Sequence, residues 1–237
     1  MQTIETVDEV LGRLRAIDAS LPPDDGVAVF NRMYLTVTER IGDLVGAGTR
    51  RTPFRDAAAM AELDVRFARL WLDAHDADAA GSRPASAWRP LFEERAAGRL
   101  PVQYAIAGMN SHIEHDLPLA VTETCTARGC EPDDLHADYE AVNVVLASVE
   151  SEVRRSFLSD VGRAVDDRIG PVVHVLSAWN IDKARDLSWV TTQTLWALRG
   201  TRILRGRFAD ALAHTVGMTT RVLLAPGIED GRRREPS

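Results

Sequence analysis

Residues 26–45 read Gly-Val-Ala-Val-Phe-Asn-Arg-Met-Tyr-Leu-Thr-Val-Thr-Glu-Arg-Ile-Gly-Asp-Leu-Val. Val27, Phe30, Tyr34, Val37, Ile41 and Leu44 recur at helical intervals, so they form one apolar face of a helix that Gly46 and Gly48 bring to an end. The same spacing continues along most of the chain, and alternating runs rich in β-branched residues are scarce. The pattern predicts an all-α, single-domain bundle of about eight helices.

Working outward from this stretch, an amphipathic helix is expected over Val7–Ala19, stopping before Pro22-Pro23. Another is expected over Phe54–His75, with Met60, Leu63, Phe67, Leu70 and Trp71 inward, followed by a polar loop from Asp76 to Ser86. A short helix over Trp88–Ala97 leads to a central helix that opens at Pro101 and is kinked by Pro118, which has no amide hydrogen to donate. Beyond Gly129, Asp133 or Asp134 is placed to cap a helix reaching Leu158. A long apolar helix over Pro171–Arg199 and a final one over Ile203–Leu224 complete the domain, which covers residues 1–226. Residues 227–237 read as a charged, disordered tail.

The chain has 237 residues, 45% of them hydrophobic and 27% charged, the composition of an ordinary globular protein. A net charge of −7 argues against nucleic acid or an anionic membrane as a main partner, since each calls for a basic face. Lys183 is the only lysine, a bias that reads as genomic rather than as phosphate chemistry. Cys125 and Cys130, five apart, match no strong metal motif and are expected to be free thiols. No apolar run is long enough to span a membrane, and the N-terminus lacks a basic segment followed by an apolar one. A cytoplasmic protein is expected, and a bundle of this size is compatible with a homo-oligomer.

The central helix contains Gly108-Met109-Asn110-Ser111-His112-Ile113-Glu114-His115-Asp116-Leu117-Pro118. His112 and Asp116 are four apart and His115 lies beside both, so all three project within one sector. Imidazoles and a carboxylate on adjacent turns suit a borderline divalent cation and equally suit acid–base chemistry. Other polar residues fall on apolar stripes: Asp64 between Met60 and Phe67, Asn31 beside Val27 and Tyr34, and Asn143 between Tyr139 and Leu146. Each such placement is costly unless the group is paired, and a bundle can converge groups of this kind on one interior pocket.

The candidate catalytic residues are therefore His112, His115 and Asp116, and with Asp64 they form the candidate metal set. Asn31, Tyr34, Asp64, Asn110, Asn143 and Arg185 are candidates to orient these groups or to touch a substrate, Arg185 as an anion anchor. His136 and Glu140 repeat the four-residue spacing but lie on the flank of their helix, where solvent is the expected partner. His174 sits in an apolar run, while His75 and His214 look peripheral. Trp179, Trp189 and Trp196 are expected in the core, with the walls of an apolar pocket as the alternative.

The run from Gly108 to Pro118 resembles the signature of an actinobacterial family of unknown function. Phe30-Asn31-Arg32-Met33-Tyr34, Leu63-Asp64 with Phe67, Trp88 with Pro90-Leu91-Phe92, and Val142-Asn143 resemble the same family, over roughly residues 25–225. A more distant similarity links His112/Asp116 and His136/Glu140 to the paired ligands of the all-α zinc-dependent phospholipase C and single-strand nuclease superfamily. The chain departs from that pattern, with Thr122 in the region where a further histidine is expected, so the likeness implies at most a reduced site of one or two metals.

Three functions follow as expectations. The first is a metal-dependent hydrolase or oxygenase using zinc, iron or manganese on a small-molecule substrate. The second is a metal-free lyase, cyclase or isomerase acting on a hydrophobic metabolite, with a histidine moving the proton and Asp116 orienting it. The third is a non-catalytic binding protein in which the motif supplies hydrogen bonds alone.

Overall fold

The computed structural model describes residues 4–45, 52–143, 146 and 180–226. It is all-helical, and no strand occurs among the described residues. Helix α1 spans Val7–Ser20, α2 Gly26–Val45, α3 Ala57–Ala79, α4 Arg89–Glu93 and α5 Pro101–Ser111. A π-helical turn, His112–Asp116, joins α5 to α6, Leu117–Arg128. Helical residues 132–143 form α7, and α8 (Ile181–Ala197) and α9 (Arg202–Leu223) follow.

Local chemistry explains the helix ends. Thr6 and Glu9 form a reciprocal capping box at α1, each side chain accepting the other's backbone amide. Asp56 accepts the Ala59 amide at the start of α3, so that helix begins at Ala57 rather than at Phe54. It also runs on through residues expected to be a loop. Asp76 and Asp78 stay helical because ion pairs to Arg13 and Arg95 hold them, and Gly81, at φ +68°, makes the turn. The expected helix over Trp88–Ala97 shrinks to Arg89–Glu93.

Asp133 and Asp134 are not caps, because α7 starts at residue 132. Asp134 lies within its first turn and accepts the Glu131 amide at 2.9 Å. The expected continuous helix over Pro171–Arg199 is likewise absent at Asn180, whose extended backbone and side chain, accepting the Lys183 amide, start α8 at Ile181. Trp179, His174, Gly46, Gly48, the 147–158 segment and the 227–237 tail lie outside the described residues.

At Pro118 the helix changes hydrogen-bonding register instead of stopping. The Leu117 amide reaches back five residues to the His112 carbonyl, which inserts one wider turn immediately before the proline. Pro118 then occupies the second position of α6 and, having no amide hydrogen, makes no bond back into the π-turn.

Two apolar clusters fill the interior. One gathers α1, α2, the second half of α3, α4 and α5 around Phe30, Trp71, Trp88 and Tyr104. The other gathers Ile41, Met60, Leu63, Ile113, Leu117, Tyr139, Ile181 and Trp189. Phe67 and Met109 pack against both, so the junction of the two clusters runs past the π-turn. No helix among the described residues is long and apolar enough to cross a membrane.

Candidate functional site

At that junction lies a cavity of about 130 Å³. Phe30, Met33, Tyr34, Val37 and Ile41 of α2 form one wall, and Met60, Leu63, Asp64 and Phe67 of α3 another. Met109, His112, Ile113 and Leu117 come from the central helix, and Tyr139, Ile181 and Arg185 close the side of α7 and α8. In this apolar lining four polar atoms have no hydrogen-bond partner: His112 Nε2, Asp64 Oδ2, the Tyr34 hydroxyl and Arg185 Nε. Buried polar atoms are paired in the great majority of cases, so four orphans on one hollow call for an explanation.

His112 is held on every other side. Its Nδ1 meets Asp116 Oδ2 at 3.0 Å, and its ring stacks on Phe67 with 3.5 Å between centroids and stands edge-on to Tyr34 at 4.4 Å. Asp116 is 1% exposed and receives two further contacts, His115 Nδ1 at 2.6 Å on Oδ1 and the Trp88 indole N–H at 3.0 Å on Oδ2. Burial pushes the Asp116 carboxyl up, but the hydrogen bonds from the two imidazoles outweigh it and hold the group below the usual carboxylate range. An ionised Asp116 calls for an N–H on His112 Nδ1, which leaves Nε2 as the lone-pair nitrogen. Burial also lowers the His112 pKa, and the attraction of Asp116 offsets this only in part, so the ring is neutral at physiological pH.

Opposite tendencies act on the Asp64 carboxyl, which lines the same cavity. Burial alone raises Asp64 from 3.8 to about 7, with no cation beside it to reverse the effect. Burial, then the negative charges of Asp64 and Asp116, raise Tyr34 well above its usual value. The cavity thus sets an imidazole kept free of its proton beside a phenol that retains its own and a carboxyl that keeps its proton only up to about pH 7. Two titratable groups pushed apart in this way make a base and an acid.

The sequence-derived candidates divide clearly. His112, His115 and Asp116 are brought together and buried, while Asp64, Tyr34 and Arg185 line the cavity with His112. Asn31 does not reach the cavity: its amide donates to the Leu14 carbonyl at 2.8 Å and accepts from Trp71 at 3.3 Å, tying α1, α2 and α3 together. Asn110 donates to Thr220 Oγ1 at 3.2 Å, and Ser111 donates to the Ala87 carbonyl at 2.7 Å, so these motif residues anchor the central helix to its neighbours. Asn143 is only half-buried and bonds to Glu140.

Among the described residues no three or more His, Cys, Asp or Glu side chains group so as to hold a metal ion. Both oxygens of Asp116 are engaged by ring N–H groups, and Asp64 faces the cavity, which Asp116 does not line. His136 and Glu140 stand 3.7 Å apart with side chains about half exposed, and neither lines the cavity.

Trp189 packs on Tyr139 and His136, and Trp196 donates to Glu131; neither walls the cavity. The aromatic walls are Phe30, Tyr34, Phe67 and Tyr139 instead. Trp88 is the contributor the sequence reading missed, because its contact with Asp116 crosses 28 positions and has no periodic signature. Asp138 was missed as well; it is buried and accepts the Arg55 and Asp56 amides, fixing the start of α3 against α7. Both cysteines are free, and burial together with Cys130 pushes the Cys125 thiol up to about 12, so it is no nucleophile at neutral pH.

A sequence profile described as Family of unknown function (DUF5995) matches residues 7–226. No curated protein and no solved structure matches the chain.

Proposed function

The chain belongs to the DUF5995 family, and we propose that it is a metal-independent acid–base enzyme, of lyase, cyclase or isomerase type, acting on a small apolar molecule. The observation that carries this reading is the presence of three of the four orphaned polar atoms, His112 Nε2, Asp64 Oδ2 and the Tyr34 hydroxyl, on one apolar cavity. An inert hydrophobic pocket needs none of them, and a structural hydrogen-bonding role would leave them paired.

In this mechanism His112 Nε2 removes a proton from a carbon or hydroxyl of the bound molecule. Asp116 fixes the ring through Nδ1 and stabilises the imidazolium as it forms, while His115 and Trp88 hold Asp116 still. Asp64, protonated up to about pH 7, or Tyr34 supplies a proton from another wall of the cavity. The apolar walls exclude water, which strengthens each of these interactions. The partner in this reading is a small molecule, and free thiols accord with a cytoplasmic setting.

The test is solvent exchange. Apolar ketones and short keto acids are incubated with the protein in D2O, binding is followed by ligand-observed NMR, and deuterium uptake is read by mass spectrometry. Uptake by at least one bound compound, unaffected by chelator and reduced about 100-fold or more in His112→Gln, is the expected result. Bound compounds that never exchange would overturn the reading. Exchange that chelator abolishes and added zinc, iron or manganese restores would replace it with the metal-dependent one.

A further inference from the structure

The cavity has a second pole. Arg185 is 5% exposed and lines the hollow from α8. Its guanidinium carbon lies 4.0 Å above the Tyr139 ring, and Nη2 donates to the Tyr139 carbonyl, while the Tyr139 hydroxyl donates back to the Arg185 carbonyl at 2.8 Å. These contacts clamp the guanidinium plane in place. They leave Nε without a partner, and they supply no negative charge. Glu140, Asp182 and Asp186 act on Arg185 only through space, and among the described residues none forms an ion pair with it. A buried cation with no carboxylate in contact among the described residues is costly, so one that persists at the wall of a cavity marks where an anion belongs.

We propose that the molecule bound in this cavity is a small apolar monocarboxylate, with its carboxylate on Arg185 and its hydrocarbon body lying toward His112. Among the described lining residues Arg185 is the sole cation, which suits one negative charge and not a phosphate dianion. A planar guanidinium fork also matches a planar carboxylate. The body of the ligand meets Met33, Met60, Leu63, Phe67 and Ile113, all apolar. The volume of about 130 Å³ is close to the ~150 Å³ of an engineered apolar cavity that accepts benzene, which sets the body at about one phenyl ring or a six-carbon chain.

This assignment rests on the cavity being the ligand site of the proposed function, and its test is separate from that of catalysis. Isothermal titration calorimetry on the whole chain at pH 7 compares phenylacetate and hexanoate with phenylacetamide and hexanamide. The acids are expected to bind at least tenfold more tightly than their amides, and Arg185→Met to lose that preference while keeping its affinity for the amides. Comparing acid with amide on the unmodified protein decides the matter however the variant folds. Equal affinities, no binding by any of the four, or an acid preference that survives Arg185→Met would each overturn the assignment. Acids that bind tightly in His112→Gln support the assignment even if no ligand exchanges deuterium, so its failure is distinguishable from that of the acid–base reading.

Discussion

Replacing Asp64 with asparagine should make the protein more stable, and by an amount that depends on pH. Burial raises this carboxyl from 3.8 to about 7, so across that interval the folded chain holds the proton and the unfolded chain has released it. The folded state then binds more protons, and stability falls as pH rises until the folded carboxyl ionises. At about 1.4 kcal/mol per pH unit, the wild type forfeits about 4 kcal/mol above pH 7 relative to strong acid. The amide introduced by Asp64→Asn mimics the protonated carboxyl and carries no such penalty. Urea unfolding followed by circular dichroism should therefore show the variant's advantage growing by roughly 2–3 kcal/mol from pH 5 to pH 8, then levelling. For a chain of this length the thermal midpoints should separate by roughly 5–10 °C over the same range. A stability difference that stays flat with pH would refute the reasoning, because Asp64 would then ionise equally in both states.

Further outcomes follow from the same geometry. Catalysed proton exchange should fall as pH rises through about 7 and Asp64 ionises; its acid limb should lie below the ordinary histidine range, because burial lowers His112. A pH profile still rising at pH 9 would contradict this. Asp116→Ala strips the acceptor from His112, His115 and Trp88 together, so unfolding experiments should show a loss of about 3 kcal/mol or more, whereas a loss under about 1 kcal/mol would mean the carboxylate does not organise the site. Gly108→Ala places a methyl group inside the Phe30 ring, which borders both His112 and the cavity, and should lower stability by about 1–3 kcal/mol. An unchanged melting temperature would show that Phe30 can move away freely.

Where local pattern governs, the sequence is informative. Helix α2 was legible along its described length because its apolar residues keep one period throughout, and the pairing of His112 with Asp116 followed from four-residue spacing. The errors come from contacts that spacing cannot express. Asp76 and Asp78 look like loop residues until Arg13 and Arg95, from distant segments, hold them in α3. Asn180 reads as one polar residue in an apolar run, yet its side chain starts a helix. Asn31, Asp64 and Asn143 carry the same signal, a polar residue on an apolar stripe. One is a fully paired strut, one an orphan on the cavity, and one a half-buried flank, and only the packing of neighbouring helices separates them. Pro118 announced a disturbance in the central helix; the π-turn that absorbs it also sets His112 and Asp116 in register.

For the chemistry to work, His112 must present an unprotonated Nε2 to the cavity, and nitrogen NMR of protein carrying 15N-labelled histidine reads this directly. The predicted result is a neutral ring with its hydrogen on Nδ1, titrating below the ordinary histidine range, whose Nε2 signal shifts when an apolar carboxylate is added. A ring with its hydrogen on Nε2, or one that titrates like a solvent-exposed histidine, would contradict it.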